Sequence, residues 1–81
     1  MQTQIDRETM RILRSLDGDE GSAVRRQIEA LEKNPFPEDA EESPNRPGRY
    51  EIFESGYWIV YCVDRSNPSE TVIRILLIEA N

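Results

Sequence analysis

The chain has 81 residues, a formal net charge of −6 from ten basic and sixteen acidic side chains, one cysteine and no histidine. That length predicts a single domain, residues 1–81, which buries only about 60% of its unfolded surface, so the core is modest and a partner would add to its stability. One thiol cannot build a disulfide framework, no apolar run nears the roughly 18 residues of a membrane helix, and no signal peptide opens the chain, so a cytoplasmic protein with no membrane partner is expected. Nucleic-acid affinity draws on lysine and arginine at phosphates, and with one lysine no free nucleic-acid partner is expected. Residues 1–37 carry six basic and seven acidic side chains, and residues 38–81 carry four and nine, so the second half is the acidic one.

Met1 to Asp6 fits either a short edge strand or a frayed start. From Arg7, the apolar residues Met10, Leu13 and Leu16 recur at helical spacing, with Ile12 widening the stripe and Asp6 as N-cap. Asp17-Gly18-Asp19-Glu20-Gly21 reads as the stop. Ser22 then starts a second helix whose apolar face is Val24, Ile28 and Leu31, with Arg25, Arg26, Glu29, Glu32 and Lys33 on the other. Asn34-Pro35 ends it, because the residue before a proline avoids the α conformation. Two amphipathic helices with a short connection predict a helical hairpin. Residues 34–48 form a loop holding four of the five prolines and the carboxylates Glu38, Asp39, Glu41 and Glu42. These carboxylates read as a solvated surface, and nothing singles one out as a general base.

Residues 47–63 read as strand, tight turn, strand, with Tyr50, Ile52 and Phe53 in the first arm and Ser55-Gly56 at the turn. Tyr57 to Val63 is a run of aromatic and β-branched residues suited to a pleated surface. Asp64 to Ser69 reads as a second turn, and Thr71 to Ile78 as a further strand, apolar on both faces apart from Arg74. Simple alternation puts Tyr57, Ile59, Tyr61 and Val63 on one face and Trp58, Val60 and Cys62 on the other. On the last strand it groups Ile73, Ile75 and Leu77 against Val72, Leu76 and Ile78. The fold class is therefore α+β: an N-terminal helical hairpin on one face of a small antiparallel sheet. Two helices cover only one face, so an apolar set is left over. That set, taken as Trp58, Val60, Cys62, Ile73, Ile75 and Leu77, is the expected partner interface. The alternative is that the long loop folds across it.

The segments Ile28-Glu-Ala-Leu-Glu-Lys-Asn-Pro-Phe-Pro, Pro47-Gly-Arg-Tyr-Glu-Ile, Gly56-Tyr-Trp-Ile-Val-Tyr-Cys-Val-Asp and Ile75-Leu-Leu-Ile carry a resemblance in their order and spacing. Together they resemble the RelE/ParE toxin superfamily of type II toxin-antitoxin systems. The best-matched residues are Gly56, Tyr57, Ile59, Val60 and Tyr61. The resemblance implies a small sheet packed on a helical hairpin. By function it implies a ribosome-dependent mRNA endonuclease or a gyrase poison held inactive by an antitoxin. Members with nuclease activity carry cations on the open face, and the matching positions here are Glu51, Phe53 and Trp58. The terminal Gly, His/Lys and Arg positions fall at Glu79, Ala80 and Asn81, and no counterpart of the C-terminal segment of many members follows.

RNA cleavage needs cations at the scissile phosphate and a proton donor and acceptor. Arg49, Arg74 and Tyr61 are the remaining catalytic candidates, with Arg46 and Arg65 as further cations. Cys62 has no histidine to activate it, and no metal, phosphate-loop or cofactor motif is present. The expected activity is protein–protein binding, to an antitoxin-like partner or a second copy. The alternatives are a working toxin that acts on the ribosome or gyrase, and an unrelated small α+β interaction domain.

Overall fold

The computed structural model describes residues 2–67 and 69–80. The chain is mixed α+β, with two helices and one five-stranded sheet. In chain order the elements are β1 (Gln2–Ile5), α1 (Arg7–Ser15), α2 (Gly18–Lys33), β2 (Glu41–Glu42), β3 (Arg49–Glu54), β4 (Tyr57–Asn67) and β5 (Glu70–Ala80). The sheet order is β1-β5-β4-β3-β2; β1 runs parallel to β5 and every other pair is antiparallel. The N-terminal segment is thus a strand over its described residues; Met1 lies outside them.

Helix α1 begins where its cap predicts. The Asp6 carboxylate accepts from the Thr9 backbone N–H at 2.7 Å, and that hydrogen bond holds the Asp6 pKa below its usual value. The predicted stop at residues 17–21 is instead the start of α2. Gly18 supplies the reversal with φ of +67°, and the helix runs on without interruption through Gly21. A second helix predicted from Ser22 therefore gains a turn, because one glycine is enough to reverse the chain.

Two contacts join the helices at this corner. The Arg25 guanidinium donates to the carbonyls of Leu13 and Leu16, at 3.1 and 3.0 Å, satisfying groups left over at the end of α1. Gly21 sits against the same turn: a Cβ there would lie 2.5 Å from the Leu16 carbonyl oxygen. Arg25, read from sequence as surface decoration, is thus a C-terminal cap for the neighbouring helix.

Strands β3 and β4 form the predicted hairpin. Glu54 pairs with Tyr57 across the two-residue turn Ser55-Gly56, and both turn residues have positive φ, +52° and +83°. The second turn is shorter than predicted. The β4–β5 pairing reaches Asn67 and Glu70; Pro68 lies outside the described residues.

Leu13 and Leu16, Val24, Ile28 and Leu31 of α2, and Ile52, Ile59, Tyr61, Ile73, Ile75 and Ile78 of the sheet form one buried cluster. Sheet residues in it alternate along β4, as expected, but not along β5. Val60 pairs with Leu77 and Tyr61 with Ile75, which leaves Leu76 as an extra residue in a β-bulge. Beyond the bulge the alternation changes phase, so Ile78 joins Ile73 and Ile75 in the core and Leu77 faces the other way.

Candidate functional site: the outer face of the sheet

The side of the sheet away from the core cluster carries the candidate site. Register places Arg49, Glu51 and Phe53 of β3 there, with Trp58, Val60, Cys62 and Asp64 of β4 and Val72, Arg74, Leu77 and Glu79 of β5. Phe53 pairs directly with Trp58, and their rings lie stacked with centroids 6.5 Å apart. Val60 is flanked in register by Glu51 and Leu77 and is only 6% exposed, although it is not part of the core cluster. Phe53 is 56% exposed. The result is an apolar row, Phe53–Trp58–Val60–Leu77, running across three strands.

Of the expected interface set, Trp58, Val60, Cys62 and Leu77 are on this face. Ile73 and Ile75 are not: they are 0% and 2% exposed and belong to the core. The Leu76 bulge is the physical reason that Leu77 parts company with them. Phe53, in β3, belongs to the row although the expected set, drawn from β4 and β5, left it out. Its signal was its own register, i+2 from Glu51 in the first arm of the hairpin.

In the loop between α2 and β3, Pro35 and Ala40 turn to the core side, where the Pro35 carbonyl accepts from the Tyr61 hydroxyl at 2.8 Å and Ala40 packs against the core cluster. Phe36 meets Tyr50 edge-on at 5.2 Å, Tyr50 stacks on Tyr61 at 5.7 Å, and the Arg65 guanidinium lies 4.8 Å above the Phe36 ring. Two loop carboxylates form the edge strand β2, where Glu41 stands opposite Glu51 and Glu42 opposite Tyr50. Glu42 also accepts from the Gly48 backbone N–H at 3.1 Å.

The three catalytic candidates are dispersed. Tyr61 is fully buried on the core side, and desolvation pushes its pKa up to about 12, so it holds its proton and donates it to a backbone carbonyl. Arg49 and Arg74 both face outward, and register sets them on either side of Cys62, a half-buried free thiol. Arg74 is occupied: it pairs with Asp64 at 3.1 Å and donates to Gln4 across the β1–β5 edge. The Asp64 carboxyl is held down at about 2, first by the Ser66 backbone N–H and then by the Ser66 side chain and Arg74.

At the centre of the face, where the resemblance puts cations, the structure sets an acid. The Glu51 carboxylate accepts from Trp58 Nε1 at 3.1 Å, so the indole N–H and the carboxylate satisfy each other. Among the described residues no group of three or more His, Cys, Asp or Glu side chains is placed to hold a metal ion. Ala80 ends β5, and Asn81, the other terminal position of interest, lies outside the described residues.

The chain matches no known protein-family model and no curated protein. Among the described residues no helix is long and apolar enough to cross a membrane.

Proposed function

We propose that this is a RelE/ParE-like protein that acts by binding another protein through the outer face of its sheet, and that it is not a nuclease. The observation that carries the reading is the apolar row Phe53–Trp58–Val60–Leu77 with the Glu51–Trp58 hydrogen bond at its centre. An exposed Phe53 stacked on a half-buried Trp58, beside buried Val60 and half-buried Leu77, makes an anchor for a protein partner. A carboxylate at the same place repels the phosphate that a ribonuclease must hold. The element order supports the family reading: a strand, two helices, a two-residue edge strand, then the hairpin and final strand, with Leu13, Val24, Ile28 and Leu31 of the helices in the buried cluster. The partner is an antitoxin-like segment or a second copy of the chain.

A second reading, a working toxin, draws on the Arg49–Cys62–Arg74 row. Two cations two strands apart, about 10 Å, could bracket a phosphate. Arg74 would first have to leave Asp64 and Gln4. Controlled expression of the chain alone in a bacterial culture separates the readings. The binding reading expects normal growth with soluble, folded protein. Growth arrest that Arg49→Ala or Arg74→Ala relieves would instead establish the toxin. The partner is then addressed by molar mass across micromolar concentrations. A second copy shows as a dimer that Trp58→Lys dissociates with the helical signal unchanged, and an antitoxin-like partner leaves the chain monomeric.

A further inference from the structure

Helix α1 carries a feature that the sheet-face reading does not use. Arg7, Arg11 and Arg14 stand at i, i+4 and i+7, within about 60° of one another around the helix axis. All three are exposed. With Ile5 of β1 and Met10, they line a groove of about 610 Å³. Ile5 and Met10 are partly buried and pack against the core, so they form an apolar floor beneath a cationic rim. Among the described residues none of the three arginines forms an ion pair; the ion pair found there joins Arg74 to Asp64. In a chain of net charge −6, three of the ten basic side chains thus converge on one groove, with no carboxylate among its described lining residues.

We propose that this groove is a second binding surface, distinct from the sheet face, for an acidic peptide segment of a partner protein that seats an apolar side chain between its carboxylates. Charge selects the class. Arginine presents a planar fork that matches a carboxylate, and three forks spaced along about 10 Å of helix fit three carboxylates on successive turns of a partner segment. The floor selects within it. Ile5 and Met10 offer an apolar contact to a side chain of a peptide, whereas a nucleic-acid backbone would leave them uncovered. The acidity of the rest of the chain disfavours a long polyanion, which would meet carboxylates on leaving the groove.

The test selects peptides from a random displayed library on the full chain, with the R7A/R11A/R14A variant as counter-selection. Because the three side chains are exposed, the variant is expected to keep the wild-type circular dichroism spectrum and melting temperature. Selected peptides should be enriched in aspartate and glutamate around one apolar residue. A labelled peptide from that set should bind at least about tenfold more weakly to Arg11→Ala, and more weakly again to Arg11→Glu. Its affinity should also fall with added salt. Selection of peptides without acidic bias, or of the same peptides by the triple variant, would overturn the proposal. So would tighter binding of a single-stranded RNA than of any selected peptide. A fall in the molar mass of the unliganded protein on making the triple variant would also overturn it, by assigning the groove to a second copy.

Discussion

At the scale of single residues, Gly21 and Tyr61 do work that composition alone would misread. A glycine inside a helix ordinarily costs about 1 kcal/mol relative to alanine, so Gly21→Ala should stabilise α2 on propensity grounds. The Leu16 carbonyl, 2.5 Å from where the new Cβ would sit, reverses the sign. It is backbone, itself held by Arg25, and cannot rotate aside. Gly21→Ala is expected to destabilise the chain by about 1–3 kcal/mol, seen as a lower urea midpoint. Tyr61→Phe removes the donor to the Pro35 carbonyl and should cost about 1–3 kcal/mol by the same measurement. Tyr61 also gives the fold an alkaline limit. Its pKa is raised in the folded state from 10.0 to about 12, so the folded chain holds this proton more tightly than the unfolded one. Its contribution is fully present below pH 10 and is lost as pH rises from about 10 to about 12. Urea midpoints for the parent should therefore fall more steeply over that window than those of Tyr61→Phe. Equal slopes would show that the hydroxyl titrates freely.

At the scale of elements, the bulge at Leu76 decides which side chains meet the core. Leu76 is the extra residue opposite the Val60–Tyr61 step, so a chain lacking it restores regular alternation with Ile73, Ile75 and Ile78 still inward. Deleting Leu76 should leave a folded protein with a cooperative melt. Deleting Val60 should not, because β4 has no spare residue against β3 and Tyr61 would be turned outward. Far-UV circular dichroism on the two deletions separates these outcomes. The same contrast explains what could be read in advance. The β3–β4 hairpin was legible because Ser55-Gly56 is a local turn signal and Tyr57–Val63 is an unbroken run rich in aromatic and β-branched residues. The start of α1 was legible from Asp6, its end from the break at Asp17-Gly18, and the end of α2 from Asn34-Pro35. The bulge was not, since Ile-Leu-Leu-Ile looks the same whether or not one leucine is extra, and pairing with another strand decides it. Nor was the true start of α2, because Gly18 and Gly21 are alike in sequence and only φ at the first and the Leu16 carbonyl beside the second tell them apart. Strand β2 has only two residues, both glutamates, and forms because β3 offers an edge.

At the scale of the whole molecule, the sheet has two apolar sides, one contributing to the buried cluster that residues of both helices share and one presenting the aromatic row. The two sides are structurally independent, since Phe53, Trp58 and Val60 lie outside the core cluster. A Phe53→Lys, Trp58→Lys double variant is therefore expected to fold, with a melting temperature within a few degrees of the parent, while losing whatever association the outer face supports. An unfolded double variant would show that the row is part of the scaffold instead. The pairing of β1 with β5 has a different consequence, in time. Gln2 to Ile5 pair in register with Val72 to Ile75, some seventy residues later in the chain. Strand β5 also supplies Ile73, Ile75 and Ile78 to the core. A nascent chain can make its helices and its hairpin early, but it holds an unpaired first strand and an unfilled core until residues 70–80 have emerged. Chains truncated after Glu70 should accordingly show no cooperative melt. During synthesis, the interval before β5 arrives is when the protein is most open to proteolysis and to pairing with the wrong strand.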